Sequence, residues 1–141
     1  MTRIDFYSNV PDKIQYACRL VRKARAANCQ LVLFGRDQAQ LAKIDEALWT
    51  FSDTDFLPHV MANDPLAAQT PVLLADASMT NLPHHELMIN LSGQTPPDFA
   101  RFERLLEIVA ADDDDKAAGR ERYRYYQQRG YPLSHFVADK A

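Results

Sequence analysis

The sequence predicts an α/β fold: a three-layer sandwich with a mostly parallel sheet between helices. Three observations carry this expectation. The chain opens strand, helix, strand, helix, the order that builds a parallel sheet through right-handed crossovers. Its second strand, Gln30 to Phe34 (QLVLF), is a nearly unbroken apolar run, as burial on both faces requires. At 141 residues, with 47% hydrophobic and 25% charged, the chain has the size and make-up of one domain, 1–141.

The elements follow in order. Arg3 to Tyr7 (RIDFY) alternates and is rich in β-formers, so it reads as the first strand, broken at Ser8, Asn9, Pro11 and Asp12. From Lys13 to Ala27, the residues Ile14, Ala17, Cys18, Val21 and Ala24 recur at helical spacing, with Arg19, Arg22, Lys23 and Arg25 largely outside the stripe. Asn28 suits a left-handed stop. After the second strand, Asp37 and Gln40 have the spacing of a capping box. The helix they open runs to about Thr50, with Leu41, Ile44, Leu48 and Phe51 on its buried line. Residues 52–55 (SDTD) form a polar loop, and Phe56 to Pro58 begin an extended piece. Pro71 to Ala75 (PVLLA) and Glu86 to Leu91 (ELMINL) are further strands. Phe99, Phe102, Leu105, Leu106 and Val109 then predict an amphipathic helix starting near Asp98. A final helix opens on Asp112 to Asp115, where negative charge favours the positive end of the helix dipole. Arg129, Gly130 and Pro132 end it.

Much chemistry is excluded. The formal net charge is −3, so binding to a polyanion needs a local patch. The loops after the first two strands read YSNVPD and FGRD, and neither they nor any other stretch carries a phosphate-binding glycine motif. Asp45 and Glu46 sit mid-helix with no phosphate loop to work beside. His84 and His85 are adjacent, and in extended chain they point to opposite faces; His59 and His135 have no partner at a recognised ligand spacing. No metal, cofactor or catalytic residue is expected. Cys18 and Cys29 are expected as free thiols. With no signal-like start and no apolar run near roughly 18 residues, the chain reads as cytoplasmic.

One stretch does carry chemistry. Read as a helix, Lys116, Arg120 and Arg124 fall on one face at successive i, i+4 positions, bordered by Tyr123. Arg122, Tyr126 and Arg129 form a second line. Guanidinium forks beside an aromatic wall suit an anionic partner with an apolar end. A solvated helix face with tyrosines packed inward has the same pattern.

Several pieces match one family together: a first strand ending in FY, LAKIDEALWTF followed by FLPH, the strand ELMINL, and GRERYRYY before a glycine and an aromatic. In this order the chain resembles the chi subunits of bacterial DNA polymerase III, from about residue 3 to 131. The resemblance implies an α/β domain with nucleotide-binding-like topology but no phosphate-binding loop. It implies a non-catalytic accessory of the clamp loader, with two partners: the psi subunit and the C-terminal tail of single-stranded DNA-binding protein (SSB). That tail is acidic and ends in an apolar residue with a free carboxylate. By resemblance, Arg120, Tyr123 and Arg124 lie on the tail-binding helix and Lys116 continues their line. Arg124 stands where a lysine is familiar. Trp49 and Phe56 match aromatic positions near the psi contact; Trp49 could equally pack at the end of its helix. DNA would be met mainly through SSB. The alternatives are a nucleotide- or small-molecule-binding enzyme on a Rossmann-like fold, and direct binding of single-stranded DNA by Arg120, Tyr123 and Arg124.

Overall fold

The computed structural model describes residues 1–51 and 57–138. Seven strands form one all-parallel sheet: β1 (Arg3–Val10), β2 (Leu31–Phe34), β3 (His59–Met61), β4 (Val72–Ala75), β5 (Leu87–Asn90), β6 (Arg104–Ala110) and β7 (Leu133–Val137). Their spatial order is β3-β4-β2-β5-β6-β1-β7. Helices α1 (Lys13–Ala26) and α2 (Gln38–Thr50) cover one face, and α3 (Asp113–Gln128) covers the other. Alternation assigns each strand residue to a layer: Leu31 and Leu33 pack with α1 and α2, while Val32 and Phe34 join Tyr126 of α3.

Local chemistry sets the helix ends. Asp12 caps α1 by accepting from the Gln15 amide at 3.1 Å, and Asn28 ends it with φ of 60°. Asp37 caps α2, accepting from the Gln40 amide at 2.9 Å. The return bond of the expected box shifts by one residue, with the Arg36 amide donating to Gln40 Oε1 at 2.7 Å. Asp112 caps α3 in the same way, through the Asp115 amide at 2.9 Å.

The structure corrects the sequence reading in several places. The helix expected near Asp98 is β6, preceded by a single 3-10 turn over Phe99–Arg101. In RLLEIVA, Leu105, Leu106, Ile108 and Val109 are all buried. A continuous apolar run satisfies helical spacing and strand burial alike, and seven residues suit a central strand better than a helix. The first strand runs on through Ser8 and Asn9 to Val10, because Asn9 adopts φ of 58° where the register with β6 shifts. Strand β7 was not expected, and β3 was expected only as the extended piece begun by Phe56 to Pro58. Both lie at sheet edges, where short half-exposed segments lose the apolar signature. Phe56 lies outside the described residues.

Cys18 and Cys29 are both free thiols. Burial is the main cause that pushes the Cys18 thiol up to about 11, so it stays protonated and unreactive at neutral pH.

Candidate functional site

Sequence places a glycine, three cations and a tyrosine on α3, and the sheet gives them a floor. Gly119 faces β6 so closely that an added Cβ would lie 2.8 Å from Val109 Cγ2. The helix therefore rests directly on the strand at this point. Beyond that contact opens a cavity of about 510 Å³ between α3 and the β1–β7 edge. Phe6 and Val109 form its apolar base, and Lys116, Arg120, Tyr123 and Arg124 line it from α3. All four residues expected to bind the acidic tail thus meet in one hollow. Tyr123 is fixed edge-on to Phe6, with ring centroids 5.2 Å apart. From the sheet edge, His135 and Val137 close the far side, and His135 Nε2 lies 2.7 Å from Ser8 Oγ.

The electrostatics are one-sided. Among the described residues, Lys116 and Arg120 have no carboxylate partner. Arg124 has only Glu121 at 3.6 Å, with both side chains mostly exposed, a pair that solvent screens. Three cations beside an apolar base can hold a carboxylate group and an adjoining hydrophobic side chain together.

The second line on α3 behaves differently. Arg122 and Tyr126 turn inward and belong to a buried network, not to a cationic surface. Glu107, at the centre of β6, accepts from Arg122 Nε at 3.1 Å, Asn90 Nδ2 at 2.8 Å and Tyr126 Oη at 2.6 Å. Arg122 also donates to the Gly93 carbonyl at 2.8 Å, and Asn90 to the Gln94 carbonyl at 2.7 Å. Burial pushes the Glu107 carboxyl up, with the Arg122 charge and the hydrogen bonds opposing it. Burial also raises the Tyr126 phenol, helped by the Glu107 charge. This network fixes the rotation of α3 and so presents Lys116, Arg120 and Arg124 to the cavity. At the helix start, Asp115 ties α3 to the end of β6 through the Ala110 amide at 2.6 Å and to α1 through Lys13 Nζ at 3.2 Å. Arg129, expected on the same line, lies over the Tyr125 ring, 3.7 Å from its centroid.

On the opposite side of the sheet, Trp49 at the end of α2 is 53% exposed, and its ring meets His59, centroids 4.7 Å apart. His59 is buried between the Leu57 carbonyl at 2.6 Å and Asp45 Oδ1 at 2.9 Å. So Asp45, in the middle of α2, serves this histidine. Trp49 both packs locally and presents an aromatic surface. It is far in the fold from the cavity, and its expected companion Phe56 lies outside the described residues. Among the described residues no cluster of metal-ligating side chains forms. No helix among them is long and apolar enough to cross a membrane.

A family model described as the DNA polymerase III chi subunit, HolC, matches residues 1–134. The chain belongs to this family. It is 35% identical over 137 residues to the DNA polymerase III subunit chi of Pseudomonas aeruginosa, covering 94% of both chains. Against the Haemophilus influenzae subunit chi it is 31% identical over 121 residues, 85% of this chain and 83% of the relative. The Escherichia coli subunit chi is 24% identical over 120 residues, covering 85% and 82%. The chain is therefore a chi-type accessory subunit of a replicative polymerase, as its DEALW and RERY segments imply.

The sequence reading missed half of the cavity. Val109 was assigned to a helix, and His135 and Val137 belong to a strand that was not recognised. Phe6 was placed on a strand without a functional role. Only the sheet order, which brings β6, β1 and β7 side by side, joins these residues to α3.

Proposed function

We propose that the cavity beside α3 receives the acidic C-terminal tail of SSB, so that this non-catalytic subunit links the clamp-loader part of the replicase to SSB-coated template. The convergence of Lys116, Arg120 and Arg124 over the apolar base of Phe6 and Val109 carries the reading. Arg120 or Arg124 clamps the terminal carboxylate. The other arginine and Lys116 meet the tail's acidic residues, and Tyr123 walls the space for the apolar side chain. DNA is reached through SSB. Trp49, with Phe56, is the proposed contact for a psi subunit, which would leave the two partners on separate surfaces. An exposed tryptophan held by a buried histidine is a suitable anchor.

Removing the apolar last residue of a synthetic tail peptide tests the mechanism. The shortened peptide retains a carboxylate but loses the group that fills the base. Binding measured by calorimetry should weaken by at least about tenfold, as expected for one lost buried side chain. Equal affinity for the two peptides would remove the apolar subsite from the account.

A further inference from the structure

Strand β7 leaves one edge of the sheet open. It pairs only with β1, in register from Leu133 opposite Ile4 to Val137 opposite Ser8. In a parallel ladder, alternate residues of a strand turn both backbone groups to the same neighbour. The Ile4 amide donates to the Pro132 carbonyl at 3.0 Å, and the Ala138 amide to the Ser8 carbonyl at 2.9 Å. That phase commits the N–H and C=O of Ser134 and Phe136 to β1. Leu133, His135 and Val137 therefore direct theirs outward, and among the described residues no further strand meets them. Sheet edges are normally blunted by charge, bulges or brevity. The opposite edge strand, β3, is three residues long. Strand β7 is five residues long, contains no lysine, arginine, aspartate or glutamate, and leaves Phe136 48% and Val137 65% exposed.

This edge is continuous with the cavity beside α3. His135 and Val137 line the cavity with their side chains and offer their backbone groups along its rim. A chain whose end lies in the cavity meets those groups as it leaves. Charge favours an acidic chain there. Lys116, Arg120 and Arg124 stand on the α3 side, and among the described residues Glu121 is the only carboxylate paired with any of them. On the other face of the strand, Phe136 stacks on Tyr7 with centroids 5.4 Å apart and planes 23° from parallel, and presents an apolar surface. A strand laid beside β7 alternates its side chains between these two environments, towards the cations and towards the ring.

We propose that the acidic tail, with its terminal residue seated in the cavity, continues along β7 as an added strand. Because that strand rests on the reading of the cavity given above, it deepens the same site: it supplies the contact made by the stretch before the terminal residue. Main-chain hydrogen bonds to Leu133, His135 and Val137 fix the backbone of that stretch. Acidic side chains at alternate positions face α3, and those between them lie against Phe136. The partner is thus recognised by a period-two pattern as well as by its end.

A series of tail peptides, each N-methylated at one backbone position, tests this by calorimetry on the full chain. Methylation removes one main-chain donor. At positions turned towards β7 it should weaken binding at least about threefold, and at the positions between them it should change little, so that the losses alternate along the peptide. Val137→Pro removes an outward N–H that β1 does not use, a placement that edge strands accept. It should bind the unmodified peptide at least about threefold more weakly than Val137→Ala, which keeps the N–H. The peptide series uses the wild-type chain and so reads the strand whatever the proline does to folding. Losses that do not alternate overturn the added strand; if the Arg120→Ala, Arg124→Ala double variant still loses the unmodified peptide, the cavity reading survives that result. Wild-type affinity in the double variant overturns both. Sedimentation of the chain without peptide should give a monomer. A dimer that Val137→Pro dissociates also overturns the proposal, by assigning this edge to a second copy of the chain.

Discussion

Replacing Arg120 and Arg124 together with alanine should lower the affinity for the acidic tail peptide by at least about a hundredfold. Hydrogen bonds between charged groups contribute roughly 1.5–3 kcal/mol each, so losing two costs about 3–6 kcal/mol. Both guanidinium groups are exposed, and among the described residues the only ion pair lost is the screened contact between Arg124 and Glu121. The melting temperature should therefore hardly move while binding collapses. Raising the salt concentration should weaken the wild-type complex more steeply than the residual binding of the double variant, in which Lys116 alone of the three cations remains. Peptide titrations of the two proteins at two salt concentrations check both points. A double variant that binds within a few-fold of wild type would mean that the cationic line on α3 is only a solvated face.

The second large effect is on stability. Arg122→Met should destabilise the fold by about 3–5 kcal/mol, because it leaves Glu107 wholly buried without its cation. The pH dependence of this loss has a definite sign. Burial already holds the Glu107 carboxyl above its ordinary value, and removing the opposing Arg122 charge raises it further. A carboxyl raised on folding binds its proton more tightly in the folded state than in the unfolded chain. Its contribution is fully favourable below the ordinary glutamate range and is lost as pH rises through the folded value. The variant should thus come closest to wild type in mild acid and fall away towards neutral pH. Adding Glu107→Gln should recover part of the loss at neutral pH, since a neutral amide is cheaper to bury than an unpaired carboxylate. Denaturant melts of the three proteins at two pH values measure this. The same variants should also weaken tail binding, because the network sets the rotation of α3.

Much of this was legible in the residues. Strands β2, β4 and β5 announce themselves because they are buried on both faces, and the cap at Asp37 because its local bond needs only a three-residue spacing. The four α3 residues were legible for a similar reason: a helix has a fixed period, so i, i+4 cations share a face wherever the helix sits. What the period could not give was the facing surface. Phe6, Val109 and His135 come from strands far apart in sequence, and their meeting depends on sheet order. Arg122 was placed on a second line of the helix with no buried role assigned to it. A signal existed in Glu107, a single acid within an apolar run, since a buried carboxylate demands a buried partner. Reading Arg104–Ala110 as a helix hid that demand. Strand β7 left little trace because an edge strand with alternate faces wet looks like loop.

The most direct test of the central claim is an amide chemical-shift map of the full chain titrated with the acidic tail peptide. The account predicts saturable shifts at Lys116, Gly119, Arg120, Tyr123 and Arg124, joined by His135 and Val137 across the cavity, with Trp49 and His59 unmoved. Shifts confined to the Trp49 side of the sheet, or none at peptide concentrations that saturate binding, would contradict it.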